Sequence, residues 1–132
     1  MSRETVEIAR RSLEAFARGD FGAAFEAHDE AVEWCTAADE PDQQIYRGIR
    51  GLYRFVASLQ DLWEGRFDDL VDFEDFIDRG DWVVVPWRAR MRGRTSGITV
   101  EVSETYAVQV HEGKIVRVEE YRHLADALAR AG

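Results

Sequence analysis

Two glutamates stand out as groups that could do chemistry together. Glu104 and Glu120 fall on the apolar faces of the last two predicted strands. A three-residue turn, His111-Glu112-Gly113 with Gly113 in the left-handed region, would place the two side chains directly opposite each other. Opposed carboxylates on an apolar face repel each other and lose solvation, and both effects raise a carboxyl pKa. One carboxylate beside one carboxylic acid is the pair that proton abstraction and reprotonation require.

A second strand register is possible for that final hairpin. A two-residue turn would pair Glu104 with Tyr121 and Val108 with Arg117, whereas the three-residue turn pairs Val108 with Val116. We favour the three-residue turn because it sets apolar side chains against apolar side chains. Two structural alternatives to the catalytic interpretation stay open: the sheet could splay so that both acids meet water, or one acid could pair with an arginine.

Aromatic side chains are numerous enough to line an apolar cavity around these acids. We expect five of them to contact a ligand: Trp34, Tyr46, Trp63, Trp87 and Tyr106. The alternative is that most of these rings belong to the core, where large aromatic side chains usually lie.

Other candidate groups are few. His28 continues a helical stripe and is a candidate ligand contact that could carry protons, but a partly buried packing histidine is the interpretation we favour. The single cysteine, Cys35, has no evident histidine partner, so a nucleophilic thiol is not favoured. The sequence contains no glycine-rich phosphate loop and no Cys/His cluster, so we expect neither a metal nor a cofactor.

The elements that must position these residues follow from a change of period near residue 66. Before it, apolar residues recur at helical spacing, which predicts helices over 3–18 and 48–63 and a short helix that follows an Asp20 cap. A short strand is predicted around Val32, Trp34 and Thr36. After residue 66, strand alternation predicts strands over 67–78, 82–92, 98–110 and 114–122, and a terminal helix over 124–131.

Helices followed by strands predict an α+β fold in one domain over 1–132, with helices on one face of a curved, mainly antiparallel sheet. Alternation along 82–92 places Trp87 and Ala89 on the inner face. A hairpin through Thr95-Ser96 would then set Trp87 opposite Glu104 and Ala89 opposite Val102 of the next strand. A basic row of side chains is then expected on the outer face, paired with acids of 67–78: Arg88, Arg90, Arg92 and Arg94.

Composition excludes several classes of function. The formal charge of −9 over 132 residues argues against nucleic-acid binding and against anionic membranes, both of which require clustered basic side chains. No apolar run approaches the roughly 20 residues of a membrane span, and residues 1–18 lack the apolar core of a signal peptide. We therefore expect a cytoplasmic protein.

A set of short motifs, in this order, resembles the SnoaL-like proteins of the nuclear transport factor 2-like superfamily. The resemblance covers essentially the whole chain and is carried by these segments: Val32-Glu33-Trp34, Tyr46-Arg47-Gly48, Gly80-Asp81 before Val83-Val84-Val85, Glu112-Gly113-Lys114-Ile115, Glu119-Glu120-Tyr121, and Asp126-Ala127-Leu128 before the terminal Ala131-Gly132.

The resemblance implies a cone-shaped α+β barrel of the cystatin-like kind with a deep apolar pocket, often dimerised through its sheet. Polyketide cyclases and limonene epoxide hydrolases of this type carry a catalytic carboxylate on the last strand, where Glu120 lies. Ketosteroid isomerases carry an acid near Glu104. However, their base would fall near Trp34, and the hydrolase Arg-x-Asp element near Arg88-Ala89-Arg90, so neither enzyme is matched in full.

The leading hypothesis is an enzyme of isomerase, cyclase or hydrolase type that performs acid–base chemistry on an apolar small molecule without a cofactor. Glu120 is the expected base and Glu104 the expected protonated partner, in a homodimer. Two alternatives remain: a non-catalytic binding protein for a hydrophobic small molecule, and a protein-interaction domain.

Overall fold

The computed structural model describes residues 2–37, 43–64 and 71–132. Its four helices are α1 (Ser2–Ala17), α2 (Phe21–Glu26), α3 (Gly48–Leu62) and α4 (Leu124–Ala131). Its eight strands are β1 (His28–Cys35), β2 (Ile45–Arg47), β3 (Trp63–Glu64), β4 (Val71–Phe73), β5 (Ile77–Arg79), β6 (Trp82–Gly93), β7 (Thr99–His111) and β8 (Lys114–Tyr121).

All eight strands belong to one sheet, with the order β2-β1-β8-β7-β6-β3 and with β4 and β5 also paired to β6. Every pairing is antiparallel except that of β1 with β8, which is parallel. The main core lies between the inner face of this sheet and helices α1 to α3. The predicted α+β arrangement, with its helices before a mainly antiparallel sheet, is confirmed.

The two N-terminal helices are joined as their sequence predicts. Gly19 takes φ +83° and donates its N–H to the Phe16 carbonyl at 3.1 Å, which is how a left-handed glycine ends a helix. Asp20 then caps α2, because its side chain accepts a hydrogen bond from the Ala23 N–H. The sharp turn folds α2 back against α1, so that the apolar faces of both helices reach the core.

Alternation on β6 sorts its side chains as predicted. The residues on its inner face all join the main core: Val83, Val85, Trp87, Ala89 and Met91. Trp87 lies opposite Glu104 and Ala89 opposite Val102, so the predicted register of β6 on β7 is confirmed. This pairing holds for eleven consecutive residues of each strand and fixes which β7 side chains face inward.

The turn of the last hairpin differs from the favoured prediction. His111 pairs with Lys114, so the turn contains only Glu112 and Gly113, with φ of 49° and 78°. Positive φ at both turn residues is the type I′ geometry, whose twist matches that of the flanking strands. The three-residue loop is therefore wrong, and the tighter alternative is right at the turn itself.

A β-bulge then changes the register of this hairpin. Val110 pairs with Ile115 but Gln109 pairs with Arg117, so Val116 is an extra residue in β8. Such a residue shifts the alternation by one position. Neither register considered from the sequence therefore holds beyond the bulge.

The bulge sets the partners of the two candidate acids. Glu120 lies opposite Tyr106, so the predicted pairing of Glu120 with Glu104 is wrong. The tighter turn and the bulge each shift the predicted register by one residue. The total shift of two residues keeps both glutamates on the inner face, because side chains alternate with a period of two. They become diagonal neighbours instead of directly opposed ones.

Three local predictions need correction. The predicted strand over 67–78 is two short strands, β4 and β5, and its residues 67–70 lie outside the described residues, as do 38–42 of the predicted polar loop. Strand β2, which pairs with β1, was not predicted because three residues give no measurable period. His28 begins β1 instead of ending α2.

The outer face of the sheet carries a second, smaller core and a row of charges. Helix α4 covers the small core, which consists of Trp82, Val84, Ala107 and Ala127. Along β6, Arg88 pairs with Asp72 and Glu74, Arg90 with Glu101, and Arg92 with Glu64. Within the described ranges no helix is long and apolar enough to cross a membrane.

Candidate functional site

A cavity of about 920 Å³ opens between the inner face of the sheet and helices α1 and α3. Its volume lies within the usual range for small-molecule sites. Helix α1 supplies Leu13 and Phe16, and α3 supplies Phe55 and Leu59. The sheet supplies the opposite wall, which holds both glutamates: Tyr46, Trp63, Val71, Phe73, Trp87, Ala89, Met91, Val102, Glu104, Tyr106 and Glu120.

Glu120 is the deeper of the two acids. It is 8% exposed, and its Oε2 accepts a hydrogen bond of 2.7 Å from the Trp34 indole Nε1–H. Trp34 is itself only 1% exposed and is held among Phe16, Phe55 and Tyr106, with ring centroids 4.9 to 5.8 Å away. The rigid indole therefore fixes the orientation of the carboxylate at the cavity wall.

Glu104 lies further along β7, on the same face and nearer the solvent. It is half-buried and lies opposite Trp87 on β6. Tyr106 lies next to it on the inner face, between Glu104 and the Glu120 position of β8. The three side chains together form the polar part of a cavity wall that is otherwise aromatic and aliphatic.

The electrostatics of this cluster are visible at Tyr106. Burial raises the pKa of its phenol well above the usual value, and the proximity of Glu120 and then of Glu104 raises that pKa further. Tyr106 therefore remains a neutral hydroxyl donor at neutral and mildly alkaline pH. Both glutamates influence the pKa of one phenol, so the two acids share one site.

Four of the six predicted ligand contacts line the cavity: Tyr46, Trp63, Trp87 and Tyr106. Trp34 does not, because it lies behind Glu120 and contacts the cavity only through that carboxylate. Its predicted role as a lining residue is therefore wrong, and the hydrogen bond it donates was not expected. The pairing of β1 with β8 brings Trp34 beside Glu120. These strands are far apart in the sequence, so no local pattern predicts the contact.

His28 also lies away from the cavity, and the prediction that it contacts the ligand is wrong. It is 6% exposed and packs edge-on against Phe25 at 5.5 Å. Its Nδ1–H donates to the Ala24 carbonyl at 3.0 Å, which satisfies an acceptor at the end of α2. The spacing of four residues between Ala24 and His28 allows this hydrogen bond. It does not direct the imidazole into the cavity.

The buried imidazole makes stability depend on pH. Burial lowers the pKa of His28 from 6.5 to about 4, against the raising effect of the Ala24 hydrogen bond and with a smaller lowering effect from Lys114. The unfolded chain takes up this proton below its pKa while the folded protein does not. Stability is therefore complete above pH 6.5 and is lost as the pH falls towards 4.

We expect this histidine to contribute about 2 kcal/mol to the loss of unfolding free energy between pH 7 and pH 5. The variant His28→Asn retains an N–H donor for the Ala24 carbonyl but cannot be protonated. Urea unfolding at both pH values checks the prediction: the wild type should lose about 2 kcal/mol more than the variant. Equal losses would show that His28 is not the titrating group.

Glu119 is a buried glutamate that stabilises the outer side of the sheet. It is adjacent to Glu120 on β8 but faces outward and is 7% exposed. It accepts hydrogen bonds from Arg117, from Tyr121 and from Arg130, and Arg117 also pairs with Glu33. Burial raises the pKa of Glu119, but the three hydrogen bonds outweigh burial and lower it overall.

Polar groups at the cavity edge were not predicted as part of the site. Arg54 and Asp61 of α3 and Gln44 before β2 contribute to its lining. Arg54 is exposed, and its position in the sequence has no regular spacing to the two acids. No pattern in the sequence therefore places it at the cavity. In the part of the chain that the structure describes, no group of three or more His, Cys, Asp or Glu side chains is placed to hold a metal ion.

Solved structures with this fold cover nearly the whole chain. An NTF2-like protein from Burkholderia thailandensis E264 is 25% identical over 96% of this chain and 95% of its own, with a TM-score of 0.81. A protein from Jannaschia sp. CCS1, provisionally assigned as a SnoaL-like polyketide cyclase, is 19% identical over 97% and 91%, with a TM-score of 0.77. TerC, co-crystallised with polyporic acid, is 20% identical over 97% and 98%, also with a TM-score of 0.77.

These likenesses confirm the predicted cone-shaped α+β fold. A comparison with curated proteins found no significant match. The family model of the SnoaL-like domain matches residues 9–118, a span that begins in α1 and reaches the last strand. The chain therefore belongs to the SnoaL-like family, within the NTF2-like superfamily.

Proposed function

We propose that this protein is an enzyme of isomerase, cyclase or hydrolase type that performs acid–base chemistry on an apolar small molecule without a cofactor. Glu120 is the general base and Glu104 is the protonated partner. The ligand contacts are Tyr46, Trp63, Trp87 and Tyr106, on the wall that carries both acids.

One observation carries the proposal: a buried carboxylate, Glu120, is held by a neutral indole donor at the wall of a roomy apolar cavity. The Glu120 carboxylate lines the cavity, where a substrate carbon could reach it. SnoaL-like structural neighbours that include a provisionally assigned polyketide cyclase support the same class of activity.

The chemistry that suits this geometry is proton transfer at a carbon next to a carbonyl group. The Glu120 carboxylate would take a proton from that carbon, the C–H electron pair would form a C=C bond, and the carbonyl π pair would move onto oxygen. Return of the proton to another carbon completes an isomerisation, whereas return to the same carbon gives only hydrogen exchange. Attack of the enolate carbon on a second carbonyl gives a ring.

The rival function is a binding protein for a hydrophobic small molecule, which the mainly apolar lining of the cavity also suits. Deuterium exchange separates the two. The probe 2-acetylnaphthalene is a planar ketone with exchangeable methyl protons, and its exchange in D₂O can be followed by proton NMR at neutral pH.

The enzyme hypothesis predicts saturable binding of this ketone and methyl exchange well above the buffer rate. The binding hypothesis predicts equally saturable binding, with exchange at the buffer rate. The second result would reject proton abstraction as the function of this cavity.

A further inference from the structure

The first part of helix α3 carries only positive charges in a strongly acidic protein. Residues 46–60 include three arginines and no aspartate or glutamate, although the whole chain has 26 acidic residues and a formal charge of −9. Arg47 pairs with Glu33 on β1 at 2.8 Å, whereas Arg50 and Arg54 are exposed on the helix. The helix therefore carries positive charge that β1 does not neutralise.

Arg54 brings this charge to the edge of the cavity, between β2 and α3. It is the only cationic side chain among the described residues that line the cavity. Its guanidinium folds back over Gly51, because a Cβ placed on Gly51 would lie 3.5 Å from the Arg54 Nη2 and 2.9 Å from the Tyr46 carbonyl carbon. The guanidinium therefore lies near the backbone of Tyr46, another residue of the cavity wall.

Helix α3 offers Arg54 no acidic partner. Side chains on a helix pair with those three or four residues away, and these positions hold Arg50, Gly51, Ala57 and Ser58. Asp61, which also lines the cavity, is seven residues further on, about 10 Å along the helix axis. None of the ion pairs between described residues includes Arg54. Its charge is therefore available to a ligand.

The cavity side of α3 has an inner apolar part and an outer polar edge. Phe55 belongs to the inner part: it is 5% exposed, and its ring lies 4.9 Å from that of Trp34, the residue that holds Glu120. Arg54 and Ser58 line the outer edge with a spacing of four. An elongated ligand that places its apolar body in the inner part, near Glu120, would present its other end to Arg54.

We propose that Arg54 binds a carboxylate of the substrate, so that the substrate is an apolar acid with its reacting carbon at Glu120 and its carboxylate at the cavity edge. A guanidinium matches a carboxylate in shape and can donate two parallel hydrogen bonds to it. Its positive charge also offsets the repulsion that the acids of the cavity would exert on an anion. The inference rests on the proposed function for the reaction at Glu120.

The test compares an acid with its neutral ester. The probes are 6-acetyl-2-naphthoic acid, which is ionised at neutral pH, and its methyl ester, and calorimetric titration measures the two affinities. The probes share the rings and the acetyl group, so they differ in charge only at the far end. We expect the wild type to bind the acid about 10-fold more tightly than the ester, as a charge-assisted hydrogen bond allows.

In Arg54→Gln, the acid should bind about 10-fold more weakly than in the wild type, with ester affinity unchanged. The unchanged ester affinity shows that the cavity is still formed. The control Arg50→Gln removes the same charge one helical turn earlier, from a residue that does not line the cavity. Its affinity for the acid should fall by less than about 2-fold, because salt screens charges that are not in contact.

Equal losses of acid affinity in the two variants would show that overall charge, and not Arg54, favours the acid, and would overturn the assignment. An equal loss for acid and ester in Arg54→Gln would also overturn it, because the residue would then serve the cavity and not the carboxylate. A wild type that does not prefer the acid, or that binds neither probe, contradicts the proposal as well.

Methyl exchange of the same probes in D₂O separates this inference from the proposed function. Arg54→Gln should raise the KM for exchange of the acid about 10-fold and leave kcat within about 3-fold, because the carboxylate is bound equally in the ground and transition states. An Arg54-dependent preference without any exchange would reject proton abstraction while retaining the carboxylate site. Exchange of both probes without a preference for the acid would reject the site while retaining proton abstraction.

Discussion

Replacing Glu120 by glutamine lowers the rate of methyl deuterium exchange in 2-acetylnaphthalene by about 10³-fold, the effect expected when a positioned general base is removed. Glutamine has nearly the shape of glutamate, and its side-chain oxygen can still accept the Trp34 hydrogen bond of 2.7 Å. The cavity should therefore keep its form. Affinity for the ketone should change by less than about 3-fold, because the base contributes mainly in the transition state.

The control for this variant is Glu101→Gln. Glu101 lies on β7, but its side chain faces outward and is exposed. It forms a surface ion pair with Arg90, at a distance of 3.4 Å. Its replacement should leave the exchange rate and the ketone affinity at wild-type values. An exchange rate in Glu120→Gln equal to that of Glu101→Gln would remove Glu120 from the mechanism.

The second large effect is on stability and concerns the neighbouring residue. The variant Glu119→Gln should lower the free energy of unfolding by about 3 kcal/mol at pH 7. Loss of the carboxylate leaves Arg117 paired with Glu33 and removes the anion with which Arg130 pairs among the described residues. Urea unfolding checks the result, with a lower midpoint at an unchanged m-value.

The matched control is Glu33→Gln, at the more exposed end of the same network. Glu33 pairs with Arg47 at 2.8 Å and with Arg117 at 2.6 Å, but its side chain is 30% exposed. Its replacement should cost no more than about 1 kcal/mol. Losses of the same size in the two variants would contradict the view that burial makes Glu119 the central residue of the network.

The pH dependence of the Glu119 effect has a definite sign. The folded-state pKa of Glu119 lies below its ordinary value of 4.5, so its stabilisation is present above pH 4.5 and is lost as the pH falls through the folded-state pKa. The difference in unfolding free energy between the wild type and Glu119→Gln should therefore shrink in acid. A difference that stays constant down to the lowest pH at which the protein folds would contradict the assignment.

Long periodic segments made most of the fold predictable. The helical stripes of α1 and α3 and the alternation of β6 and β7 each extend over eleven or more residues, so packing and local preference agree there. The β6–β7 register followed from alternation together with a hairpin through Thr95-Ser96, and it placed Trp87 opposite Glu104 as expected. Short elements such as β2 were not predictable, because three residues establish no period.

The site was only partly predictable, because its geometry depends on one extra residue. The tighter turn and the extra residue Val116 together shift the partner of Tyr106 from Val118 to Glu120, and a bulge has no strong composition signal of its own. Both glutamates still reach the inner face, since the error in register was an even number of residues. The Trp34–Glu120 hydrogen bond links positions 86 residues apart, which no local pattern reveals.

The most direct measurement of the central claim is a crystal structure of the protein with 2-acetylnaphthalene bound. We expect the naphthalene rings to occupy the cavity of about 920 Å³, with the ketone methyl carbon about 3 to 3.5 Å from a Glu120 carboxylate oxygen. A probe bound elsewhere on the protein, or a Glu120 side chain turned away from a probe that does occupy the cavity, would contradict it.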